Sequence, residues 1–376
     1  MNLENPFPEY GYFGSAYFCD REQETKMLMD ALLNGSNVTL MAPRRIGKTG
    51  LIHHVFEQMK AKDNSVQCFY VDIFPTKTFC QMVQFISNAV IGKLDTPSQS
   101  IKRKLNKFVT ALRPTMSPDP VTGMPTFSVN VVPANARETL SQVFEYMKES
   151  NSQCYLAIDE FQQVSHYSEI GADAFIRSII QFIPNVHLIF SGSQQHLLAE
   201  MFMSPKHPFF NSSQIMTINE IDAMKYCSFV NGFFSKQGRE MPKEVFNYLY
   251  AMVDGQTWYV QKILNRLYRT PNEVLGREAV DRAVNQILSE QEINYQNNYN
   301  LLTLNQSLLL TAIARQGVVS APTSLEFILR HQLPAPSSIK QALKSLQDKE
   351  YIYKTTDGKY LVYDRFFGMW LKRLGR

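Results

Sequence analysis

Val38-Thr39-Leu40-Met41-Ala42-Pro43-Arg44-Arg45-Ile46-Gly47-Lys48-Thr49 decides the fold. A short apolar strand runs into a loop that fits G-x-x-x-x-G-K-[ST] at every fixed position but the first, where Ala42 stands for glycine. Leu51, Ile52, Val55, Phe56 and Met59 then recur at helical spacing. Strand, loop and helix in that order make a phosphate cradle. N–H groups around Gly47 and at the helix start point at an anion, and the helix dipole favours its charge. Lys48 would reach the β- and γ-phosphates as a point charge, and the Thr49 hydroxyl would ligate Mg²⁺. Gly47 is expected to let the backbone approach where a Cβ would clash. The expected nucleotide contacts are therefore Ala42, Pro43, Arg44, Arg45, Ile46, Gly47, Lys48, Thr49 and Gly50.

A cradle for ATP and Mg²⁺ needs a carboxylate at a neighbouring strand end. Tyr155-Leu156-Ala157-Ile158-Asp159-Glu160 supplies two acids after an apolar run. Asp159 fits as the Mg²⁺-holding acid. Glu160 fits as the group that orients or deprotonates water. The strand His187-Leu188-Ile189-Phe190-Ser191-Gly192-Ser193 ends in hydroxyls that would stand between those acids and the γ-phosphate, Ser193 first and Ser191 second.

Outward from these motifs, helical patterns span Asp20 to about Leu33, with Asp20 as N-cap, and Phe79 to Leu94. Helices are also expected over Arg137 to Glu149 and Ala172 to Phe182, and Gln67 to Ile73 reads as a strand. Alternating strands and helices predict an α/β fold: a P-loop parallel sheet with helices on both faces. Ser98 to Leu112 reads as a basic amphipathic helix carrying Lys102, Arg103, Lys104 and Lys107. Pro114 to Pro133 reads as an inserted hairpin turning at Asp119 to Gly123. Only helices are expected from about Glu220 to Asn300.

The last quarter changes character. From Leu301 onward eleven Lys/Arg face five Asp/Glu, so this part carries about +6 of a chain whose total is +4. Helices at Leu302 to Gln316, Ser324 to His331 and from a serine cap after Pro336 precede two strands around Thr356-Asp357-Gly358, the pattern of a winged helix. Its third helix would present Lys340, Gln341, Lys344 and Gln347, and its wing Lys354 and Lys359, either to DNA or to a protein partner. Phe366, Phe367, Met369, Trp370 and Leu371 read as core. Five scattered cysteines without a C-x-x-C pair argue for free thiols. With no run of about 18 apolar residues, and a polar start to the chain, it is expected to be cytoplasmic.

The order of loop, Asp-Glu strand, Gly-Ser strand end, helical segment and winged helix resembles the archaeal-type ATPases of the STAND branch of the AAA+ superfamily, relatives of the origin-recognition ATPases. Tyr17-Phe18-Cys19-Asp20-Arg21-Glu22-Gln23-Glu24 is similar to that family's F-x-x-R-x-x-E box beside the adenine, which adds Phe18 and Arg21 to the nucleotide contacts. Arg21 either orders the adenine-side loop or makes a surface ion pair. Pro43-Arg44-Arg45 matches the family's run within the loop. Three features depart from it: Ala42 in the loop, no arginine in Ser204 to Asn211, and no proline in the lid motif Asp254 to Trp258. Lys262 and Arg266 stand as charged lid residues that solvent would cover.

The expected organisation is an N-terminal segment (1–15), a P-loop ATPase domain (16–218, with the hairpin at about 114–133), a helical lid (219–300) and a winged-helix domain (301–376). The expected function is a slow Mg²⁺-dependent ATPase, with Lys48, Glu160 and Ser193 catalytic and Thr49 and Asp159 on the metal. It would act as a switch that repositions the winged helix, with nucleotide-dependent oligomerisation open. The rival readings are a DNA-binding regulator with structural nucleotide and an interaction scaffold in defence signalling.

Overall fold

The computed structural model describes residues 3–94, 113–118, 125–150, 152–169, 171–355 and 357–374. The expected basic helix at Ser98 to Leu112 and the turn at Asp119 to Gly123 lie outside the described residues. Residues 10–225 form one compact unit, and residues 3–9 with 226–374 form a second.

The first unit begins with α1 (Glu22–Leu33), β1 (Val38–Met41), α2 (Lys48–Lys62), β2 (Gln67–Asp72) and α3 (Phe79–Leu94). The antiparallel pair β3 (Arg113–Pro118) and β4 (Pro125–Asn130) follows. Then come α4 (Ala136–Glu149), β5 (Cys154–Asp159), α5 (Ala172–Ile180), β6 (Val186–Gly192), α6 (Gln195–Met203) and β7 (Gln214–Thr217). Five of the strands make a parallel sheet in the order β2-β5-β6-β1-β7. Every residue of β1, β5 and β6 is buried. Side chains alternate between two apolar layers. Leu156, Ile158 and Phe190 join α3 to α6 on one face, while Tyr155, Ala157 and Ile189 join α1 and α2 on the other. Register pairs Asp72 with Asp159, Ile158 with Phe190 and Met41 with Gly192. The three central strands thus end level at one edge, where open parallel sheets hold ligands.

Two local expectations give way. Asp20 does not cap α1: Arg21 takes the cap position in a left-handed conformation, and the Asp20 carboxylate pairs with Lys225 at 2.8 Å instead. The edge strand β7 carries no sequence signal because only Met216 of its four side chains is buried.

The second unit contains α7 (Ala223–Phe234), α8 (Lys243–Met252), α9 (Thr257–Tyr268), α10 (Arg277–Glu290) and α11 (Glu292–Asn300). The winged helix adds α12 (Leu304–Gln316), α13 (Leu325–Arg330), α14 (Pro336–Asp348), β8 (Ile352–Lys354), β9 (Tyr360–Val362) and the closing α15 (Arg365–Arg373). β8 and β9 pair antiparallel, and Val319 bridges to Tyr360. Thr303 and Gln306 form a capping box on α12, and Ser324 caps α13. No serine caps α14: Ala335 sits there, and Pro336 at the first turn presets φ where no N–H is needed.

Phe366, Phe367, Trp370 and Leu371 of α15 are buried, while Met369, expected with them, is only half-buried. Phe366 meets Tyr259 of α9 edge-on at 5.0 Å, the Arg365 N–H donates to the Tyr259 hydroxyl, and Arg365 pairs with Asp254 at 3.1 Å. The N-terminal residues belong to this unit too. Phe7 is buried among Phe233, Phe234 and Tyr268. Asn265 donates to the Phe7 carbonyl at 2.8 Å, and Asn5 donates to the Asn265 carbonyl at 2.9 Å. Lys262 and Arg266 are not left to solvent. Lys262 is buried against Glu9 at 3.1 Å and the Trp258 ring, and Arg266 pairs with Glu290.

In the first unit Phe190 packs on Phe161, Phe202 and Phe209 at 4.6, 5.0 and 5.2 Å. Phe209→Ala is expected to cost about 3–5 kcal/mol through the cavity it leaves. Phe182→Ala, at a side chain 72% exposed, is expected to stay within about 0.5 kcal/mol. Melting temperatures of the two variants check the contrast.

Candidate active site

The phosphate loop leaves β1 at Ala42, whose methyl is buried in the core and whose carbonyl accepts from Lys48 Nζ at 3.3 Å. Ala42 has no positive φ, so a Cβ is tolerated where the motif has glycine. Arg45 (φ 67) and Gly47 (φ 104) both adopt left-handed backbone. A Cβ on Gly47 would meet no protein atom within 4 Å, so within the protein itself the glycine answers to its left-handed dihedral.

Asp159 lies beside this loop. Oδ1 accepts from the Ser191 hydroxyl and, at 3.0 Å, from the Glu160 N–H. Oδ2 accepts from Thr49 Oγ1 at 3.1 Å and from the Tyr70 hydroxyl at 2.6 Å. Burial works against the Asp159 charge, and the Lys48 ammonium with the Ser191 and Tyr70 hydroxyls outweighs it, holding the carboxyl below the usual range. Burial pushes the Lys48 ammonium down, while Asp159 and Glu160 pull it back. Burial and the facing carboxylate push the Tyr70 phenol up, which keeps it a donor.

Glu160 turns off the end of β5 in left-handed backbone (φ 56). Its Oε2 accepts from Ser193 Oγ at 2.7 Å, from the Ser193 N–H at 3.3 Å and from Gln162 Nε2. The two serines therefore divide: Ser191 serves Asp159 and Ser193 serves Glu160. Gly192 between them makes room for Gln162, since a Cβ there would stand 2.0 Å from Gln162 Oε1 and would push that side chain aside. Arg44 Nε donates to Ser193 Oγ at 3.2 Å.

Arg21 is buried. It pairs with Glu24 at 2.8 Å and donates to the Ile46 carbonyl at 3.2 Å, so it ties the start of α1 to the phosphate loop. Phe18 stacks on His54 at 4.2 Å and lies 3.5 Å from where a Gly50 Cβ would be. His54 Nδ1 meets the Tyr12 hydroxyl at 2.8 Å, and His53 packs against Tyr70. The structure thus brings Arg44, Lys48, Thr49, Asp159, Glu160 and Ser193 to one sheet edge and lays Phe18 and Arg21 along the flank of the loop. Sequence reading missed Tyr70 and Gln162. Tyr70 falls inside an apolar strand, and Gln162 falls in a short 3₁₀ turn (Phe161–His166) that no periodicity marks.

A parallel sheet with this loop, acid pair and polar strand end is the architecture of P-loop, AAA+-type nucleotide-binding ATPases. The family described as ATPase domain predominantly from Archaea matches residues 18–263, and a probable winged helix domain matches residues 293–373. The chain belongs to that ATPase family. Its fold is similar to that of a Walker-type ATPase of Pyrococcus abyssi (TM-score 0.65, 15% identity, 98% of this chain and 99% of that one). It is also similar to the ORC2 protein of Aeropyrum pernix in ADPNP–ADP complexes (TM-score 0.58, 13% identity, 97% and 95%). The ORC1 protein of Aeropyrum pernix in complex with DNA is similar as well (TM-score 0.55, 15% identity, 98% and 94%). No curated protein matches the sequence significantly. Among the described residues no helix is long and apolar enough to cross a membrane.

Because Asp159 gives up its proton more readily folded than unfolded, its contribution to stability is full above the unfolded value of about 3.9. It is lost as pH falls through the folded value. Ser191→Ala removes a donor to this charge and is expected to cost about 1–3 kcal/mol at pH 7. The gap from wild type should shrink below about pH 4, as both carboxylates protonate. Melting temperature against pH for the two proteins measures it.

Proposed function

We propose that this protein is a Mg²⁺-dependent ATPase of the STAND type, working as a nucleotide-controlled switch. The observation that carries the reading is the bond between Thr49 and Asp159, which joins the phosphate loop to the acid strand across 110 residues of sequence at 3.1 Å. Lys48 and the N–H groups at the start of α2 hold the β- and γ-phosphates. Thr49 Oγ1 donates its hydrogen bond to Asp159, which leaves its oxygen lone pairs for a cation. A hydroxyl backed by a carboxylate is a hard oxygen set of the kind that suits Mg²⁺. When bound, Mg²⁺ offsets phosphate charge. Glu160 orients water and accepts its proton, while Ser193 links that carboxylate to the end of β6. Phe18 packs on the base side, and Arg21 keeps the loop in shape through the Ile46 carbonyl.

Release of the γ-phosphate removes contacts present only with ATP, and that difference biases the two states of the switch. The winged helix is the element such a switch would control. A DNA-facing role for it is supported by exposed Lys340, Gln341 and Lys344 on α14 and by exposed Lys354 on the wing. It is weakened by Lys359, whose charge is paired with Asp357 at 2.8 Å. Salt-dependent duplex binding that is lost in a Lys340→Ala/Lys344→Ala double variant would favour that role.

Mg²⁺-ATP at about a hundred times its Kd is expected to stabilise the chain by about 2.7 kcal/mol, read as a rise in melting temperature. Lys48→Ala should abolish the rise. Glu160→Gln should keep it and lose turnover by about 10²–10⁴-fold. A wild-type melting temperature indifferent to nucleotide would remove the reading.

A further inference from the structure

Arg44 leaves the phosphate loop toward the acid pair. Its Nε donates to Ser193 Oγ, and that hydroxyl in turn donates to Glu160 Oε2. Its guanidinium lies over the Phe74 ring at 5.1 Å, so ring and hydroxyl hold it from two sides. It is close enough to Lys48 to add to the depression that burial causes there, and close enough to Asp72 to offset a little of the rise that burial imposes on that carboxyl. No arginine stands between Gln194 and Lys225, the stretch after β6. Arg21 in the same unit is committed to Glu24 and the Ile46 carbonyl.

We propose that Arg44 is this site's own arginine for the γ-phosphate, so that hydrolysis needs none from a second copy of the chain. The proposal rests on the ATP reading above. In hydrolysis the bond from the γ-phosphorus to the bridging oxygen breaks, and ADP leaves with the electron pair. A bond to the water oxygen forms, and Glu160 takes the water proton. Charge builds on the phosphoryl oxygens, where a guanidinium offers a planar, always-charged fork of donors that lysine lacks. Ser193 joins Arg44 to Glu160, so the arginine and the water-orienting acid are set by one hydroxyl. The ring beneath the guanidinium keeps it in place before substrate arrives.

The test uses the full chain with Arg44→Ala and Arg44→Lys beside wild type. Melting shifts with ADP and with ATP are measured, together with turnover per chain over a wide range of chain concentration. Both variants are expected to keep the wild-type ADP shift and to lose turnover by about 10³-fold or more, in kcat and not in KM. Wild-type turnover per chain should not change with concentration. Turnover of either variant within about tenfold of wild type would overturn the assignment, since a cis arginine is worth far more. Loss of the ADP shift would overturn it too, by making Arg44 a shaping residue of the loop. Turnover per chain that climbs with concentration would hand the role to a neighbour. A wild type that ignores both nucleotides would instead remove the parent ATP reading, and Arg44's role with it. A wild type that binds and turns over while Arg44→Ala matches it removes only the arginine.

Discussion

The Asp159 carboxylate is the constraint on which the first unit turns. A buried charge is costly unless its acceptor positions are filled. Here four donors fill them, from Ser191 of β6, the Glu160 backbone, Thr49 of α2 and Tyr70 of β2. These donors come from the two strands that flank β5, from the residue that follows it and from the helix after the loop. Satisfying one carboxylate therefore fixes how the sheet edge closes on the loop. The buried Lys48 ammonium is tolerated for the same reason, since Asp159 and Glu160 both offset it. Ser191, Asp159 and Lys48 are buried members of the cluster, so removing one of them leaves a buried polar partner uncompensated.

The second unit is built on different physics. Its cohesion is aromatic, with Tyr259 against Phe366 in one group of rings and Tyr295, Phe367 and Trp370 in another. Polar groups fix the seams: Arg365 reaches Tyr353, Asp254 and the Val362 carbonyl. The helical segment and the winged helix share this packing, so they form one body. Lys340, Lys344 and Lys354 are exposed on the outer side of α14 and on the wing.

Much of this was legible in the residues. The loop, the Asp-Glu strand end and the Gly-Ser strand end each combine an apolar run with a chemically specific stop, and their order forces a parallel sheet. The buried stripe of α14 and the tail of α15 were equally plain from spacing. What escaped had no such signature. Tyr70 looks like any strand aromatic until β2 is paired with β5. Gln162 matters only because Gly192 leaves room for it. Glycine at 47 was legible as a requirement, and its left-handed backbone adds a dihedral reason that the motif does not spell out. Asp20 and the serines after Pro336 carry good cap chemistry, yet Asp20 is drawn into an ion pair with Lys225, and Pro336 starts α14 one residue after its cap at Ala335. Lys262 and Arg266 look like solvated charges on a helix because their partners, Glu9 and Glu290, are remote in sequence.

The seating of Phe7 has a consequence for how the protein is made. Its cage and the Asn5–Asn265 bonds join residues some 260 positions apart, with the whole nucleotide-binding unit between them. Domains generally fold as they leave the ribosome, from the N-terminus onward. The stretch from Tyr10 to Lys225 can follow that order. Residues 3–9 cannot: they must wait, with Phe7 exposed, until α9 has been translated. Residues 3–9 therefore complete their packing only after residues 10–225 have been synthesised.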